Sequence, residues 1–365
     1  MRFRSARRAA TLGIAALTLA AVASACGSDG GSGGSASGGA SGKTIILDTL
    51  YRAPNAQNQA AGAQQAAKEE GATVKWVGPT NIDPAAAIKA LQDASAAGAD
   101  GAIVAAFPGD LFRVPIDQTG LPVATIDLYS PGSKAGTHLA TDKYGLGVAL
   151  AEQFAKQMPE NAKGIIVGGI CVPGLPALVA PQQGFADKIT ELRPGVTLKG
   201  DQPVDGDATK NFSSWQRIIQ QNPDALGFVG QCDQDVPNLI KLKKQSGGAK
   251  WLTGATSGDS AENIAAVKDG TMVAIIGQNG WNMGYVAMKL LLDQISNGKE
   301  MPKGFIDTGL TVITKQNADD VAARVEDPTL NQTEFKDLIQ KILSDPQAAM
   351  QPYENCRGCG TTFKP

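Results

Sequence analysis

The strongest constraint on the fold is an alternation of short apolar runs with segments of helical periodicity, which occurs twice along the chain. In the first half, apolar runs occupy residues 44–47, 73–77, 102–106 and 123–126; in the second half they occupy 164–169, 197–200, 225–229 and 251–254. Runs of this length are typical of buried strands, and the segments between them have the spacing of amphipathic helices. The alternation predicts an α/β fold with parallel sheets covered by helices.

Local signals place several helices. Asp83 followed by Pro84 is typical of an N-cap and a first helical residue, and Asp207 predicts a second N-cap. Helices are expected near 182–192 and 261–268. Because the pattern repeats, we expect two Rossmann-like, doubly wound lobes, with a cleft between their strand ends where ligands of open α/β sheets bind.

The first 25 residues predict a secretory signal. Four arginines lie among the first eight residues, and the Ala/Leu-rich stretch that follows, 9–22, is shorter than the ~20 apolar residues of a membrane-spanning helix. Ala23-Ser24-Ala25 before Cys26 resembles the bacterial lipobox. We therefore expect Cys26 to be acylated, for instance with palmitate, and to anchor the protein on the extracytoplasmic face of the cell membrane. The alternative is ordinary signal cleavage beside an incidental cysteine.

Residues 26–42 contain almost only Gly, Ser and Ala after the cysteine, a composition typical of a flexible tether. Removing the signal leaves 340 of 365 residues, more than one core usually supports, so two lobes are again expected. It also leaves 29 basic residues against 35 acidic ones, with no long basic block. Nucleic acid is therefore not an expected partner.

Four cysteines remain after Cys26, an even number that predicts disulfides in an exported protein. Cys356-Arg-Gly-Cys359 has the spacing of half a zinc site. Zinc requires about four ligands, however, and the chain has no second CxxC and a single histidine, His138. A Cys356–Cys359 disulfide is the preferred interpretation, with no metal and no cofactor expected.

Short motifs lie along the chain in a fixed order and spacing: Thr49-Leu50, Ala61-Gly62-Ala63-Gln64, Leu121-Pro122-Val123, Ile126-Asp127, Ala140-Thr141-Asp142, Gln182-Gln183-Gly184-Phe185, Asn222-Pro223-Asp224 and Gly277-Gln278. Through these residues the chain resembles, from Lys43 to about Gln316, a type I periplasmic binding protein of the ribose and galactose branch.

The resemblance implies a domain organisation in which the chain crosses three times between lobes, near Thr141, Gln278 and Thr308. The N-terminal lobe is then 43–140 plus 279–307, and the C-terminal lobe is 141–278 plus 308–316. Residues 317–365 form an extension with one helix, carrying an apolar stripe, and the CxxC. We expect the stripe to pack against a lobe; contact with a permease is the alternative.

The resemblance also implies the site. A hydroxylated solute needs planar polar side chains for its hydroxyl groups and aromatic faces for its C–H groups. The candidates at strand ends and crossovers are Tyr51, Arg52, Asn55, Phe107, Asp110, Asp127, Tyr129, Gln231, Asp233, Thr256, Gln278 and Trp281. Alternatives are that Asp127 and Asp142 stabilise the crossovers and that Phe107 belongs to the core.

The chain departs from the monosaccharide pattern of its relatives. Residues 173–183 lack the usual arginine, Leu128 stands where a second arginine is common, and Cys232 and Thr256 replace an amide and a carboxylate. A less polar polyol, a deoxy or alkylated sugar, or another small metabolite therefore stays open. A carboxylate-bearing ligand is expected only if Arg52 points into the cleft.

The same lobe order places Cys171 and Cys232 after neighbouring strands. Neighbouring strand ends approach to the ~5.5–6 Å Cα separation that a disulfide prefers. We therefore predict a Cys171–Cys232 bond beside the cleft.

Three functions remain open. The preferred one is capture of a small hydroxylated solute, a sugar or polyol, for the permease of an ABC importer by a monomeric lipoprotein. The second is a sensory co-receptor that presents its ligand to a membrane kinase or chemoreceptor. An enzyme is not expected: beyond the Gly/Ser linker there is no Gly-x-Ser-x-Gly, and His138 is the only histidine. Asp233 and Asp235 as a glycosidase pair are the remaining enzymatic alternative.

Overall fold

The computed structural model describes residues 39–49, 51–52, 54–247 and 249–363. Within them lie twelve strands: β1 (Thr44–Asp48), β2 (Thr73–Val77), β3 (Gly101–Val104), β4 (Val123–Ile126), β5 (Thr137–Ala140), β6 (Gly164–Ile170), β7 (Val196–Pro203), β8 (Gly227–Gly230), β9 (Leu252–Ala255), β10 (Ile275–Gly277), β11 (Gly304–Asp307) and β12 (Thr311–Ile313).

The helices of the same residues are α1 (Pro54–Glu70), α2 (Pro84–Ala96), α3 (Gly109–Thr119), α4 (Lys143–Lys156), α5 (Pro176–Leu192), α6 (Ala208–Gln221), α7 (Asp235–Gln245), α8 (Ala261–Lys268), α9 (Gly280–Asn297), α10 (Ala318–Glu326), α11 (Leu330–Glu334), α12 (Lys336–Ser344) and one 3-10 helix (Tyr353–Asn355). The predicted signal and the acylation site Cys26 lie outside the described residues.

Two six-stranded sheets form the frame. The first has the order β2-β1-β3-β4-β5-β11 and the second β7-β6-β8-β9-β10-β12. All pairs are parallel except β10 with β12, which is antiparallel. We call each sheet with its covering helices a lobe: α1, α2, α3 and α9 pack on the first, and α4 to α8 on the second. The predicted α/β class with two doubly wound lobes is confirmed.

The chain passes between the sheets three times, after β5, after β10 and between β11 and β12. These segments touch one another. The Thr141 hydroxyl lies 2.7 Å from the carbonyl oxygens of both Gln278 and Gly309, and the Thr308 amide donates to Ala140 O at 2.9 Å. One buried threonine therefore joins all three passages. The residue-level lobe boundaries stay a prediction.

Each lobe contains a helix pair in backbone contact. A Cβ added at Gly62 of α1 would lie 2.0 Å from a backbone oxygen of α9, and one at Gly284 of α9 would lie 1.9 Å from a backbone oxygen of α1. In the second lobe, a Cβ added at Gly147 of α4 would lie 1.8 Å from a backbone oxygen of α5, and one added at Gly184 of α5 would lie 2.1 Å from a backbone oxygen of α4. Only glycine fits at these four positions, so both lobes use the same device to hold their helices close.

Most predicted elements agree with the structure. Asp83 caps α2 by accepting from Ala86 N at 3.0 Å, and Asp207 caps α6. Helix α5, however, begins at Pro176, six residues before the predicted start. Pro181 interrupts the sequence pattern there, and packing against α4 keeps the extra turn helical.

The C-terminal extension contains three α-helices and a 3-10 helix where the sequence predicts one helix. Ile339 and Ile342 of α12 are buried in the core of the first lobe, whereas Ala318 and Val321 of α10 pack in the core of the second. Helices of five to nine residues span too few turns to give a clear periodicity, and most of their stability comes from tertiary packing. No helix in the described residues is long and apolar enough to cross a membrane.

The last described residues contact both lobes. Gln351 pairs with Phe305 of β11, and the Tyr353 ring stacks on Tyr129 with centroids 4.9 Å apart. Arg357, six residues after Gln351 in the sequence, forms an ion pair with Asp142, which directly precedes α4. The extension therefore runs from the first lobe across the first passage.

Candidate functional site

A cavity of about 130 Å³ lies between the carboxyl ends of the two sheets. Its polar lining comes from both lobes and from the passages between them: Tyr51, Asn55, Gln59, Asp127, Lys143, Gln231, Asp233, Thr256, Ser257 and Gln278. Its apolar lining includes Ile82, Leu128, Leu146, Val172, Leu175, Leu178 and Pro181 together with Cys171 and Cys232. The lining residues follow strands that run parallel within each sheet, and open α/β sheets bind ligands at the carboxyl ends of such strands.

Seven of the predicted site residues line this cavity: Tyr51, Asn55, Asp127, Gln231, Asp233, Thr256 and Gln278. Six of them lie in the segments directly after β1, β4, β8, β9 and β10, and Asn55 lies in the first turn of α1. That these residues bind a ligand stays a prediction.

The other five predicted residues are not part of its lining. Arg52 is exposed, lies over the Trp76 ring at 5.1 Å and donates to Trp76 O. Asp110 is exposed at the start of α3, and Phe107 is half-buried. Tyr129 and Trp281 pack instead against Tyr353 and Tyr285, respectively. Since Arg52 is held by Trp76, the reason for expecting a carboxylate-bearing ligand is removed.

Lys143 lines the cavity and was not predicted from the sequence. Its side chain is only 2% exposed, forms an ion pair with Asp127, and donates to Gln278 Oε1 at 2.5 Å. Asp127 has a left-handed φ of 62°, a conformation that costs energy for a non-glycine residue and is found at functional sites. Asp127 therefore both lines the cavity and ties β4 to the first passage. The only sequence signal for Lys143 is its place directly after Asp142 at the first crossover.

Gln231 makes a side-chain hydrogen bond to Thr256. It is 3% exposed, and its Oε1 accepts from Thr256 Oγ1 at 2.5 Å. With that oxygen occupied, the amide nitrogen Nε2 is the group left to pair, and it is buried without a hydrogen-bond partner among the described residues. A buried donor without a partner costs about 1–3 kcal/mol, which an acceptor in the cavity would recover.

Asp233 faces the cavity next to two hydroxyl groups. The Tyr51 hydroxyl lies 3.4 Å from its Oδ2, and Ser257 is the second neighbour. Burial raises the pKa of Asp233, and nearby Asp235 and Asp127 raise it further. Burial and the Asp233 charge also raise the pKa of Tyr51.

The disulfide between Cys171 and Cys232 lies in the apolar part of the lining. It joins the ends of β6 and β8, which are hydrogen-bonded neighbours, with Cα atoms 6.4 Å apart. The bond fixes the loop that carries Gln231 and Asp233.

The second disulfide, Cys356–Cys359, is buried beside His138 of β5. His138 Nε2 lies 3.8 Å from Cys356 Sγ, and its Nδ1 lies 3.1 Å from Thr125 Oγ1. Burial lowers the pKa of His138 to about 3. Both sulfurs are joined in the disulfide and are not free thiolates, so the arrangement fits a structural cluster.

Two parallel-sheet lobes joined by three adjacent passages, with a cavity between the strand ends, define the class of two-lobed α/β binding proteins. The family profile described as "Periplasmic binding protein domain" matches residues 50–300. The chain belongs to this family, as a type I periplasmic binding protein.

Curated relatives support the same family. The ribose import binding protein RbsB of Salmonella typhimurium is 24% identical over 254 residues, which cover 69% of this chain and 84% of the relative. The ribose import binding protein RbsB of Bacillus subtilis is 25% identical over 245 residues, which cover 66% of this chain and 77% of the relative.

Solved structures share the fold. AraP, an arabinose binding protein from Geobacillus stearothermophilus, is 21% identical with a TM-score of 0.67, covering 76% of this chain and 99% of the other. An ABC transporter solute binding protein from Burkholderia graminis in complex with D-arabinose is 24% identical with a TM-score of 0.69; the match covers 76% of this chain and 97% of the other.

Proposed function

We propose that this protein captures a small hydroxylated solute in the cavity between its lobes and delivers it, unchanged, to the permease of an ABC importer. The observation that supports this most directly is the amide nitrogen of the lining residue Gln231, which is buried without a partner among the described residues in a cavity that Tyr51 and Asn55 of the first lobe also line. The relatives are named as binding proteins for ribose and arabinose, which favours solute binding over catalysis.

The cavity size fits a small solute. A buried water needs about 10–15 Å³ of such space, so 130 Å³ holds roughly ten groups of that size. A solute that touches both lobes would stabilise their closed arrangement, because only that arrangement makes both sets of contacts. The closed form is then the one that an importer recognises.

The test is a binding measurement. The purified protein is screened by thermal shift against sugars, polyols, amino sugars and small acids, and the best solute is titrated by calorimetry. Gln231→Ala should weaken binding at least about tenfold, since a buried hydrogen bond is lost. Asp110→Ala, whose residue lies outside the cavity lining, is the matched control and should bind within about twofold of the wild type.

Two outcomes would contradict the proposal: no solute in the panel binds, or Gln231→Ala binds as tightly as the wild type. Conversion of the bound solute into a product, detected by mass spectrometry, would contradict the non-enzymatic role.

We also propose that the protein acts as a monomer tethered to the extracytoplasmic face of the membrane through Cys26. The small residues before Cys26 and the Gly/Ser segment after it support the membrane tether. Cys26→Ser should move the protein from the membrane fraction to the soluble fraction; an unchanged distribution would exclude the lipid anchor.

A further inference from the structure

The charges that line the cavity do not balance. Two carboxylates, Asp127 and Asp233, face a single amine, Lys143. Lys143 is already committed, because it pairs with Asp127 and donates to Gln278. Asp233 forms no ion pair within the described residues and contacts only uncharged hydroxyl groups.

A second group at the same place is also incomplete. Gln231 precedes Asp233 by two residues, and its Nε2 needs an acceptor. Gln231 Oε1 already accepts from Thr256 Oγ1, so Nε2 is the amide group that is left to pair with an acceptor. The cavity therefore offers a carboxyl group without a cationic partner beside an amide nitrogen without an acceptor, both among the described residues.

We propose that the solute carries a protonated amine next to a hydroxyl or ether oxygen, with the amine on the Asp233 carboxylate and the oxygen on Gln231 Nε2. This inference rests on the proposed function, because it specifies the ligand of the same cavity.

The rest of the lining describes the remainder of the solute. Leu175, Leu178 and Pro181 form an apolar wall from the start of α5, and Tyr51 is the one aromatic side chain in the lining. An alkyl or deoxy flank fits that wall, because it has no groups to pair with the hydroxyls of a fully hydroxylated face. The chemical class is thus an aminated sugar or amino polyol with an apolar side.

An anionic solute is disfavoured by the same charges. Arg52 is bound to Trp76 outside the lining, and moving Lys143 to an anion would leave the half-buried Asp127 without its partner. A neutral polyol would leave Asp233 without a countercharge in a place where burial already penalises its ionised form. A cation resolves that penalty directly.

The test compares matched pairs that differ only in the amine: D-glucosamine with D-glucose, D-galactosamine with D-galactose, and 2-amino-1-butanol with 1,2-butanediol. Calorimetry on the wild type should show the amine member of at least one pair binding about tenfold or more tightly than its neutral partner, since a hydrogen bond to a charged group contributes that much. Asp233→Asn should reduce this preference to about twofold or less, and Asp233→Glu should keep a preference.

Asp110→Asn is the control for general loss of negative charge and should leave the preference unchanged. Thermal unfolding of each variant shows that it is folded before binding is compared. Equal or tighter binding of the neutral members, or a preference that survives Asp233→Asn, would overturn the inference. Binding of neutral solutes alone would overturn the inference that the solute carries an amine, but it would leave the proposed solute-binding function intact. Binding of no solute at all would overturn both proposals.

Discussion

The turn after β8 has an interior side and a cavity side, and an aspartate stands on each. Asp235, on the interior side, is fully buried and accepts four hydrogen bonds: from Asn211 Nδ2 and Trp215 Nε1 at 2.8 Å, and from the amides of Gln231 and Cys232 at 2.9 Å. Asp233, two residues earlier, has only hydroxyl neighbours. The protein thus supplies the hydrogen-bond donors for Asp235 from its own chain, whereas Asp233 can still accept a donor from a ligand.

The difference separates a structural charge from a binding charge. Burial raises the pKa of Asp235, and its four donors oppose that rise because they stabilise the ionised form. A buried polar group is normally satisfied, so an incomplete one beside a cavity marks the place where a ligand supplies the missing partner. The proximity of Asp233 and Asp235 in sequence, which suggested a catalytic pair, conceals opposite environments.

The largest effect should come from Asp235. Asp235→Ala removes the acceptor of four buried donors, and we expect a loss of about 3–5 kcal/mol in the free energy of unfolding. Urea unfolding followed by tryptophan fluorescence measures it. Asp233→Asn is the matched variant and should not lower the stability, since it removes a charge that lacks a cationic partner. Equal losses for both variants would end the distinction between the two sides of the turn.

The disulfide that fixes this turn should have the next largest effect. Cys171 and Cys232 are 61 residues apart, and closing a loop of that length stabilises a protein by about 2–4 kcal/mol, mainly through the unfolded chain. The double Cys171→Ala, Cys232→Ala variant should lose that amount in the same urea assay. The Cys356–Cys359 disulfide closes a much shorter loop, so the Cys356→Ala, Cys359→Ala variant should lose less unfolding free energy. A larger loss for this variant than for Cys171→Ala, Cys232→Ala would contradict the loop-length argument.

A third buried carboxyl extends the comparison, because Asp48 at the end of β1 has no hydrogen-bond partner for either oxygen among the described residues. Burial raises the pKa of Asp48 to about 8. The folded state therefore holds this proton more tightly than the unfolded state, so stability is retained at low pH and falls as pH rises from about 4 towards about 8.

Asp48→Asn removes this titration. Relative to Asp48→Asn, the wild type should lose at least about 1.4 kcal/mol of unfolding free energy between pH 5 and pH 8, the equivalent of one pKa unit. Urea unfolding of both proteins at the two pH values measures the difference. A constant difference across that range would show that Asp48 does not titrate there.

The pattern of the fold could be predicted from the amino-acid sequence alone. The alternation of apolar runs and amphipathic segments is a local property, and it was enough to predict two parallel sheets and most of their strands. Asp83 and Asp207 could be identified as caps because a cap depends on the next three residues only. The loops that follow the strands also indicated seven of the residues lining the cavity, since the edge of a parallel sheet is fixed by its topology.

The direction in which the side chains point depends on contacts that form in the folded protein. Lys143 enters the cavity because Gln278, 135 residues later, accepts its hydrogen bond, and Arg52 is kept out because Trp76 offers both a ring and a carbonyl oxygen. Likewise, Asp235 is completed by Asn211 and Trp215 on a different helix. Such contacts join segments that the chain brings together only after folding, and no local pattern encodes which of two nearby carboxylates will find its partners there.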